Sequence, residues 1–456
     1  MVKKLSTDVI IIGSGLAGCA AAYRAASAGK KVLVLEKMPY YGGNSALAGG
    51  GYAASDSSLK YREKFHLEPD SWQLHAEDTF KAGGGIGDMA LIETMAKGAP
   101  EGLNWLLSCG VTFTNALNQI GGHSVHRAYM ADITGREIMD RVHAACEKAG
   151  AAFRNNTRVT DFLLQDGRIA GAKAEASGQE SCFAAKDGVI LASGGLSRDT
   201  ALRQKYCPAL NEKYGCSNHK GATGELLTLA ESFGADTVGM EYIQLYPCGD
   251  PKSGGIDTLG FHAYTGPGYG MIYVNQRGER FVNELLGRDA VSDAQVQTCE
   301  KPTFAIFNQE IADILGLTAD ETERFTRAGR LYAADTLEGL AEAIHVPAEA
   351  LCAAVDRHNA FVAGEQADDF GKARGTTLKA LDKGPYYAVP QWPTVHFTMG
   401  GLRIDTSARV LDRQGQPIPG LYAAGECCGG IHGKNRLGGN ALAECVVFGF
   451  IAGECR

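Results

Sequence analysis

Near the N-terminus, Thr7-Asp8-Val9-Ile10-Ile11-Ile12 runs straight into Gly13-Ser14-Gly15-Leu16-Ala17-Gly18. A short β-branched run closed by G-x-G-x-x-G is the pattern of a strand turning tightly into a helix. Leu16 to Ala28 has helix-forming composition, Lys31 to Leu35 reads as a second strand, and Glu36 ends it eighteen residues after Gly18. Together these form a βαβ unit whose acid is correctly spaced to accept from a ribose hydroxyl, while Gly13, Gly15 and Gly18 let the backbone and the helix N-terminus approach a pyrophosphate. The chain is therefore expected to build a parallel sheet around a dinucleotide.

The same strand-then-glycine pattern recurs far downstream. Gly188 to Ala192 leads into Ser193-Gly194-Gly195, and Gly420 to Ala424 leads into Gly425-Glu426. At 456 residues the chain exceeds one ordinary core. The simplest architecture is α/β: a discontinuous Rossmann-like domain over 1–240 plus 397–456, interrupted by an α+β cap over 241–396 with helix-rich segments at 308–364. The 59 glycines suit a nucleotide site, and a net charge of -8 without basic runs excludes a nucleic-acid surface. No window approaches the ~20 apolar residues of a membrane helix, so a cytoplasmic, membrane-free protein is expected. Thirteen cysteines contain no C-x-x-C pair, which argues against iron–sulfur, zinc and c-haem attachment, and no metal is expected. Only the vicinal Cys427-Cys428 pair stands apart from ordinary buried cysteine.

After Glu36 comes Tyr41-Gly42-Gly43-Asn44-Ser45-Ala46-Leu47-Ala48-Gly49-Gly50-Gly51, long enough to run beside an isoalloxazine. This stretch resembles the fumarate reductase and succinate dehydrogenase flavoprotein family, including the FAD domain of soluble flavocytochrome-type fumarate reductases and urocanate reductases. The resemblance recurs at Ala192-Ser193-Gly194-Gly195, Gly221-Ala222-Thr223-Gly224-Glu225, Gly425-Glu426 and Gly439-Asn440-Ala441-Leu442, and covers essentially the whole chain. It implies FAD, with Glu36 at the adenosine ribose, Asn44, Ser45, Ala48, Gly49 and Gly50 along the flavin with Gly43, and Glu426 at the ribityl chain. Asn440, Ala441 and Leu442 would sit at the ring, and Leu16, Ala17, Lys37, Val159, Ser193 and Gly194 would complete the cofactor contacts. No histidine stands in the loop around Asn44, so the FAD is expected to be non-covalent.

Three further segments resemble the family's catalytic blocks. Gly278 to Asp289 places Arg288 at the arginine that protonates substrate, His396-Phe397-Thr398-Met399-Gly400-Gly401 resembles H-x-T-M-G-G, and Gly430 to Gly439 resembles G-x-H-G-x-N-R-L-G-G, with Arg436 as the second substrate arginine. Taken singly, each would be an ordinary surface cation in an ion pair. Together they imply reduction of a carbon–carbon double bond conjugated to a carboxylate: Arg436 and His396 hold the carboxylate, hydride passes from reduced flavin to the β-carbon, and Arg288 gives a proton to the α-carbon. A guanidinium titrates above ~12 and gives up a proton only with a relay to replace it. In fumarate-reducing relatives a glutamate and a second arginine supply that relay; Tyr264 and Pro267 occupy those places here, leaving Tyr264, Glu284 and Asp289 as candidate replacements.

The chain also departs from fumarate reductases at the distal carboxylate. Where the family has Q-x-H-P and a Thr-Glu pair, this sequence has Gln244-Leu245-Tyr246-Pro247 and Ala263-Tyr264. Two phenols can stack on a ring but neutralise no carboxylate, and tyrosine in place of that histidine also resembles urocanate reductase. The expected substrate is a monocarboxylate with a ring or polar head, urocanate- or cinnamate-like, with Phe261, His262 and Asp257 as candidate pocket residues. Fumarate reduction proper, ketosteroid dehydrogenase or L-aspartate oxidase chemistry, and a non-catalytic FAD-binding role remain the competing readings. His126-Arg127 and Thr134-Gly135 also fall in a segment that lies near flavin and substrate in relatives. The electron donor, whether NADH, a reduced flavin or a redox protein, is not encoded in any recognisable motif.

Overall fold

A computed structural model of the chain describes residues 4–120, 122–375 and 377–455. The chain divides into two compact units, the first comprising residues up to 211, 218–244 and 397–456, the second 212–217 and 245–396. Two short segments therefore lie on the other side of the boundary expected from the sequence. Gln244 stays with the first unit because its side-chain amide donates to Asn435 Oδ1 and to the Arg436 carbonyl. Residues 212–217 join the second because Val395 N donates to the Gly215 carbonyl and Ser217 N to the Val395 carbonyl.

In the first unit, β1 (Lys4–Ile12), α1 (Leu16–Ser27) and β2 (Val32–Leu35) form the expected βαβ unit. β1 lies between β2 and β3 (Gln179–Leu191), parallel to both, with Val9 opposite Val32 and Gly188. Val9, Ile10 and Ile11 are fully buried, as a central parallel strand covered on both faces requires; this is why the run is apolar without alternation. The eight-stranded sheet continues through Pro417–Ala423, parallel to β3, and is flanked by antiparallel strands at 158–165, 168–176 and 409–411. It is a mixed sheet with a parallel centre, and the residues at the C-terminal ends of its parallel strands carry the glycine turns.

The second unit has its own core, built on a sheet in which Tyr386–Thr398 pairs antiparallel with Thr303–Asn308 and Tyr332–Ala334, and Thr303–Asn308 pairs with Ile272–Val274. Helices α2 (Thr258–Thr265) and α3 (Arg288–Thr298) carry the residues of chemical interest. The N-terminus of α2 is held by Asp257, which accepts from Gly260 N at 3.1 Å and pairs with Arg330 at 2.8 Å. Among the described residues no helix is long and apolar enough to cross a membrane, and no cluster of three or more His, Cys, Asp or Glu is arranged to hold a metal ion.

Candidate active site

The first unit presents a dinucleotide cradle. Gly13 sits at φ +108°, and a Cβ there would fall 2.2 Å from the Ala192 carbonyl oxygen; at Gly18 it would fall 2.0 Å from that of Gly13. No other residue allows so tight a turn from β1 into α1. Gly15, by contrast, would find nothing closer than 3.7 Å, so that face is open. α1 begins with no side-chain cap and no acid in its first turn, leaving its positive end to an anion. Leu16 N donates to Ser45 Oγ at 3.1 Å, docking the turn Gly43–Leu47 onto that end, and Ala17 lies buried in the same first turn.

Glu36 is almost wholly buried, with Ser14 N and Oγ donating to one carboxylate oxygen at 3.0 and 2.6 Å and Met38 N to the other at 2.8 Å. The donors orient both oxygens and leave lone pairs for a ribose hydroxyl. Asn44 bridges two segments: its Nδ2 donates to Glu426 Oε2 at 2.8 Å and its Oδ1 accepts from His219 N at 2.7 Å. Burial pushes the Glu426 carboxyl up against the lowering effect of its hydrogen bonds from Thr398 N and Asn44. Ala48 and Gly49 follow the Gly43–Leu47 turn, and Gly50, at φ +75°, opens the strand Gly51–Ala53. Ser193 and Gly194 follow β3 and keep partial exposure, with open space beside Gly194. Val159 is buried in the strand Arg158–Gln165.

Two expected contacts are engaged within the protein. Lys37 Nζ is taken by Thr223 Oγ1 at 2.8 Å and Glu225 Oε1 at 2.7 Å, and Arg158 shares the same glutamate. The Asn440 amide, fully buried, takes His75 Nε2 on its oxygen and donates to Thr79 Oγ1, both at 2.9 Å, so Asn440 can face a ligand only with its backbone. Ala441 and Leu442 follow it in the first turn of the helix Asn440–Glu454.

The loop ahead of that helix carries Arg436, whose Nη1 donates to the Leu437 carbonyl at 2.9 Å and Nη2 to Gln244 Oε1 at 3.2 Å, with its guanidinium carbon 4.7 Å from the centre of the Phe397 ring. Beneath the loop lies a buried polar network around Arg127 whose other members, Asp70, Asp78 and His123, the sequence pattern did not single out. Arg127, fully buried, is held by Asp70 and Asp78, contacts His123 Nδ1 at 3.2 Å, and so leaves His123 Nε2 to donate to the Gly438 carbonyl at 2.9 Å. His432 and Glu444 form a second buried pair at 2.7 Å. The i,i+4 spacings of His75 with Thr79 and of His123 with Arg127 were the available signal. Of the neighbouring candidates, His126 pairs with Glu68 at 2.8 Å, and Thr134 caps the helix Gly135–Lys148 through a capping box with Glu137.

The second unit gathers Arg288, Tyr246, Tyr264 and His396 without help from the first. Arg288 opens α3, and its guanidinium carbon lies 5.0 Å from the centre of the Tyr246 ring and 4.9 Å from that of Tyr264. Among the described residues its Nη1 is buried without a hydrogen-bond partner. Burial opposes the charge, but pairing with Tyr264 and Tyr246 outweighs it and holds Arg288 above the ordinary guanidinium range. The two tyrosine rings are 5.1 Å apart, and His396 lies 5.2 Å from Tyr246, with its Nδ1 2.9 Å from Ser217 Oγ. Tyr246 is buried, bonds the Gly260 carbonyl at 3.3 Å, and has its phenol pushed well above its usual range by burial. Phe261 flanks it edge-on at 6.4 Å.

Other expected participants stand elsewhere. Asp257 is committed to the α2 cap and Arg330. Glu284 is fully buried between Arg280 at 2.9 Å and Lys372 at 3.3 Å, and also accepts from Tyr273 N. Asp289 is exposed, and Pro267 sits in the 3₁₀ turn Gly266–Tyr269. His262 remains half-buried with its ring held below the ordinary histidine range, chiefly by burial.

The FAD binding domain model matches residues 8–442. The chain is 34% identical to NADH:acrylate oxidoreductase of Vibrio harveyi over 98% of its own length but only 50% of that protein, and so spans half of that relative. It is 35% identical to urocanate reductase of Eggerthella lenta, covering 98% of this chain and 74% of the relative. The open conformation of a flavocytochrome c3 fumarate reductase superimposes with a TM-score of 0.83 at 33% identity, covering 99% of this chain and 78% of that one. The cradle built around Gly13, Gly15 and Glu36 fits the FAD that this family binds, and the chain belongs to the FAD binding domain family, among the fumarate- and urocanate-reductase flavoproteins.

Proposed function

We propose that this chain reduces the carbon–carbon double bond of a small α,β-unsaturated carboxylate that bears a ring or polar head instead of a second carboxylate. The observation that carries the reading is the Arg288 guanidinium lying over the faces of Tyr246 and Tyr264 with its buried Nη1 unengaged among the described residues. A cation flanked by phenols can protonate or bind an anion beside an aromatic group, and these phenols bring no charge to balance a second carboxylate. The named relatives act on acrylate, urocanate and fumarate, and the acid conjugated to an alkene is what those substrates share.

Reduced FAD, when bound, supplies the hydride. Arg436, oriented by Gln244 and the Leu437 carbonyl, provides a planar fork for the substrate carboxylate, on which negative charge develops as the β-carbon is attacked. His396, oriented by Ser217, adds a donor. Arg288 delivers the proton to the α-carbon, and Tyr264 replaces it. Glu284 does not serve as the relay, because Arg280 and Lys372 hold its carboxylate in a fully buried ion cluster. Tyr246 is buried and bonded to a carbonyl, whereas Tyr264 keeps partial exposure and can recover a proton from water. Electrons would come from NADH, a reduced flavin or a redox protein, and the FAD would be held without a covalent bond, so mild acid should release yellow flavin into solution.

The test is anaerobic reoxidation of the chemically reduced enzyme, followed by flavin absorbance, with acrylate, fumarate, urocanate, cinnamate and a Δ4-3-ketosteroid. Rapid reoxidation by urocanate or cinnamate and slow reoxidation by fumarate is expected. Reoxidation by fumarate alone would remove the ring-bearing substrate, and reoxidation only by the steroid would remove the carboxylate altogether.

A further inference from the structure

His219 lies in the turn that precedes Gly221-Ala222-Thr223-Gly224, within the first unit. Its backbone is fixed at both ends: His219 N donates to Asn44 Oδ1 at 2.7 Å, and Ala222 N donates to the His219 carbonyl at 3.0 Å. Its ring is fixed as well, because Gly221 N donates to Nδ1 at 3.1 Å. A nitrogen that accepts cannot also carry the proton, so the neutral ring must be protonated on Nε2. Burial holds the ring below the ordinary histidine range, against the opposing pull of Glu36, while Arg198, Lys37 and Lys220 lower it further. At neutral pH the side chain is therefore a neutral Nε2–H donor with one free direction.

That Nε2 is buried and, among the described residues, has no hydrogen-bond partner. Leaving such a buried donor unmatched is destabilising. Its surroundings show what would match it. A Cβ on Gly221 would lie 3.4 Å from both Lys37 Cε and Met38 Cγ, so the turn packs on the residues that follow Glu36. The Tyr40 ring meets the imidazole edge-on at 5.7 Å. The imidazole thus packs on the residues that follow Glu36 and feels that carboxylate's charge, which sets it in the same corner of the unit as the acid whose spacing from the glycine turn marks it for the adenosine ribose.

We propose that His219 is an FAD-binding residue whose Nε2–H donates to an oxygen of the adenosine diphosphate half of the cofactor. Glu36 then accepts from that half and His219 donates to it, a pair that reads both polarities of a ribose phosphate. The assignment depends on FAD as the cofactor and not on the substrate, so it can fail while the enoate reductase reading stands.

The test uses full-length protein stripped of flavin and refilled, with FAD binding followed by flavin fluorescence and ADP as a competitor carrying only the adenosine half. H219A should weaken FAD at least tenfold and ADP in proportion. H219Q, whose amide can donate from near the Nε2 position, should bind FAD within threefold of wild type. FAD affinity unchanged in H219A, or weakened with ADP competition unchanged, overturns the proposal. Should H219A fail to fold, H219N replaces it, since its shorter amide keeps an acceptor near Gly221 N but cannot reach the Nε2 position; equal FAD affinity in H219N and H219Q would then overturn it.

Discussion

Replacing Tyr264 by phenylalanine separates the two functions proposed for this side chain. The ring that lies 4.9 Å from the Arg288 guanidinium carbon is kept, so the cation stays placed, while the hydroxyl that would replace its proton is lost. A free phenol, titrating near ~10, is a considerably stronger acid than a guanidinium, so transfer from phenol to neutral guanidine runs downhill by roughly 3–5 kcal/mol. Water is a weaker acid than a guanidinium and would have to make the same transfer uphill by roughly 3–4 kcal/mol. A lost proton-transfer group ordinarily costs ~10²–10⁴ in rate, and we expect Y264F to lower kcat by about 10²-fold or more. Steady-state turnover with whichever acid reoxidises the wild-type enzyme, run in light and heavy water, gives the answer. The KM should stay within about threefold and the solvent isotope effect should rise, because proton delivery becomes limiting. A kcat within threefold of wild type, or a change confined to KM, would refute the relay and leave Tyr264 as a pocket wall only.

Three further outcomes follow from the same residues. Arg288→Ala should abolish turnover by orders of magnitude while the bound-flavin spectrum stays intact; near-normal turnover would remove Arg288 as proton donor. Tyr246→His puts a cationisable ring 5.0 Å from the Arg288 guanidinium, where burial and the like charge keep it neutral until a second carboxylate arrives to pair with it, and should lower the KM for fumarate about tenfold at pH 6, where substrate can enter with the ring's proton, with less gain at pH 8; no gain at either pH would mean that Tyr246 does not face the distal end of the substrate. Burial lowers His75 to about 3, and burial together with Lys372 lowers His358 to about 4, both from 6.5. These are bases whose folded values are depressed, so their stabilisation is complete above pH 6.5 and is lost as pH falls toward 3–4. Urea unfolding should lose about 1.4 kcal/mol per pH unit for each histidine between pH 6 and 4.5, and H75Q or H358Q should each flatten that slope; a flat wild-type profile would count against both.

How much of this could be read from the sequence depends on the range of the interactions involved. The β1–α1–β2 unit was legible because each of its signals is local: the apolar run, the glycines and Glu36 fall within about thirty residues, and the backbone turn at Gly13 admits no other residue type. The roles of Lys37 and Asn440 were not legible to the same degree. Both stand in the right motif, but whether a polar side chain faces a ligand or another residue depends on partners far away in the chain, here Glu225 for Lys37 and His75 for Asn440. The buried support under the Arg436 loop illustrates the same limit. Arg127, Asp70, Asp78 and His123 show only an i,i+4 spacing, and nothing local indicates that a carbonyl at Gly438 is what they hold. Glu284 fails in the opposite direction. Its nearness in sequence to Arg288 made it a natural relay, and only Lys372, 88 residues away, shows that its charge is already balanced. Tyr264, by contrast, drew notice because a tyrosine stands where the family carries a carboxylate, and the structure adds the reason to prefer it over its rivals: it touches the arginine and still meets solvent. Departures from a family pattern are thus where sequence points to new chemistry, and long-range partners decide which of those departures can act.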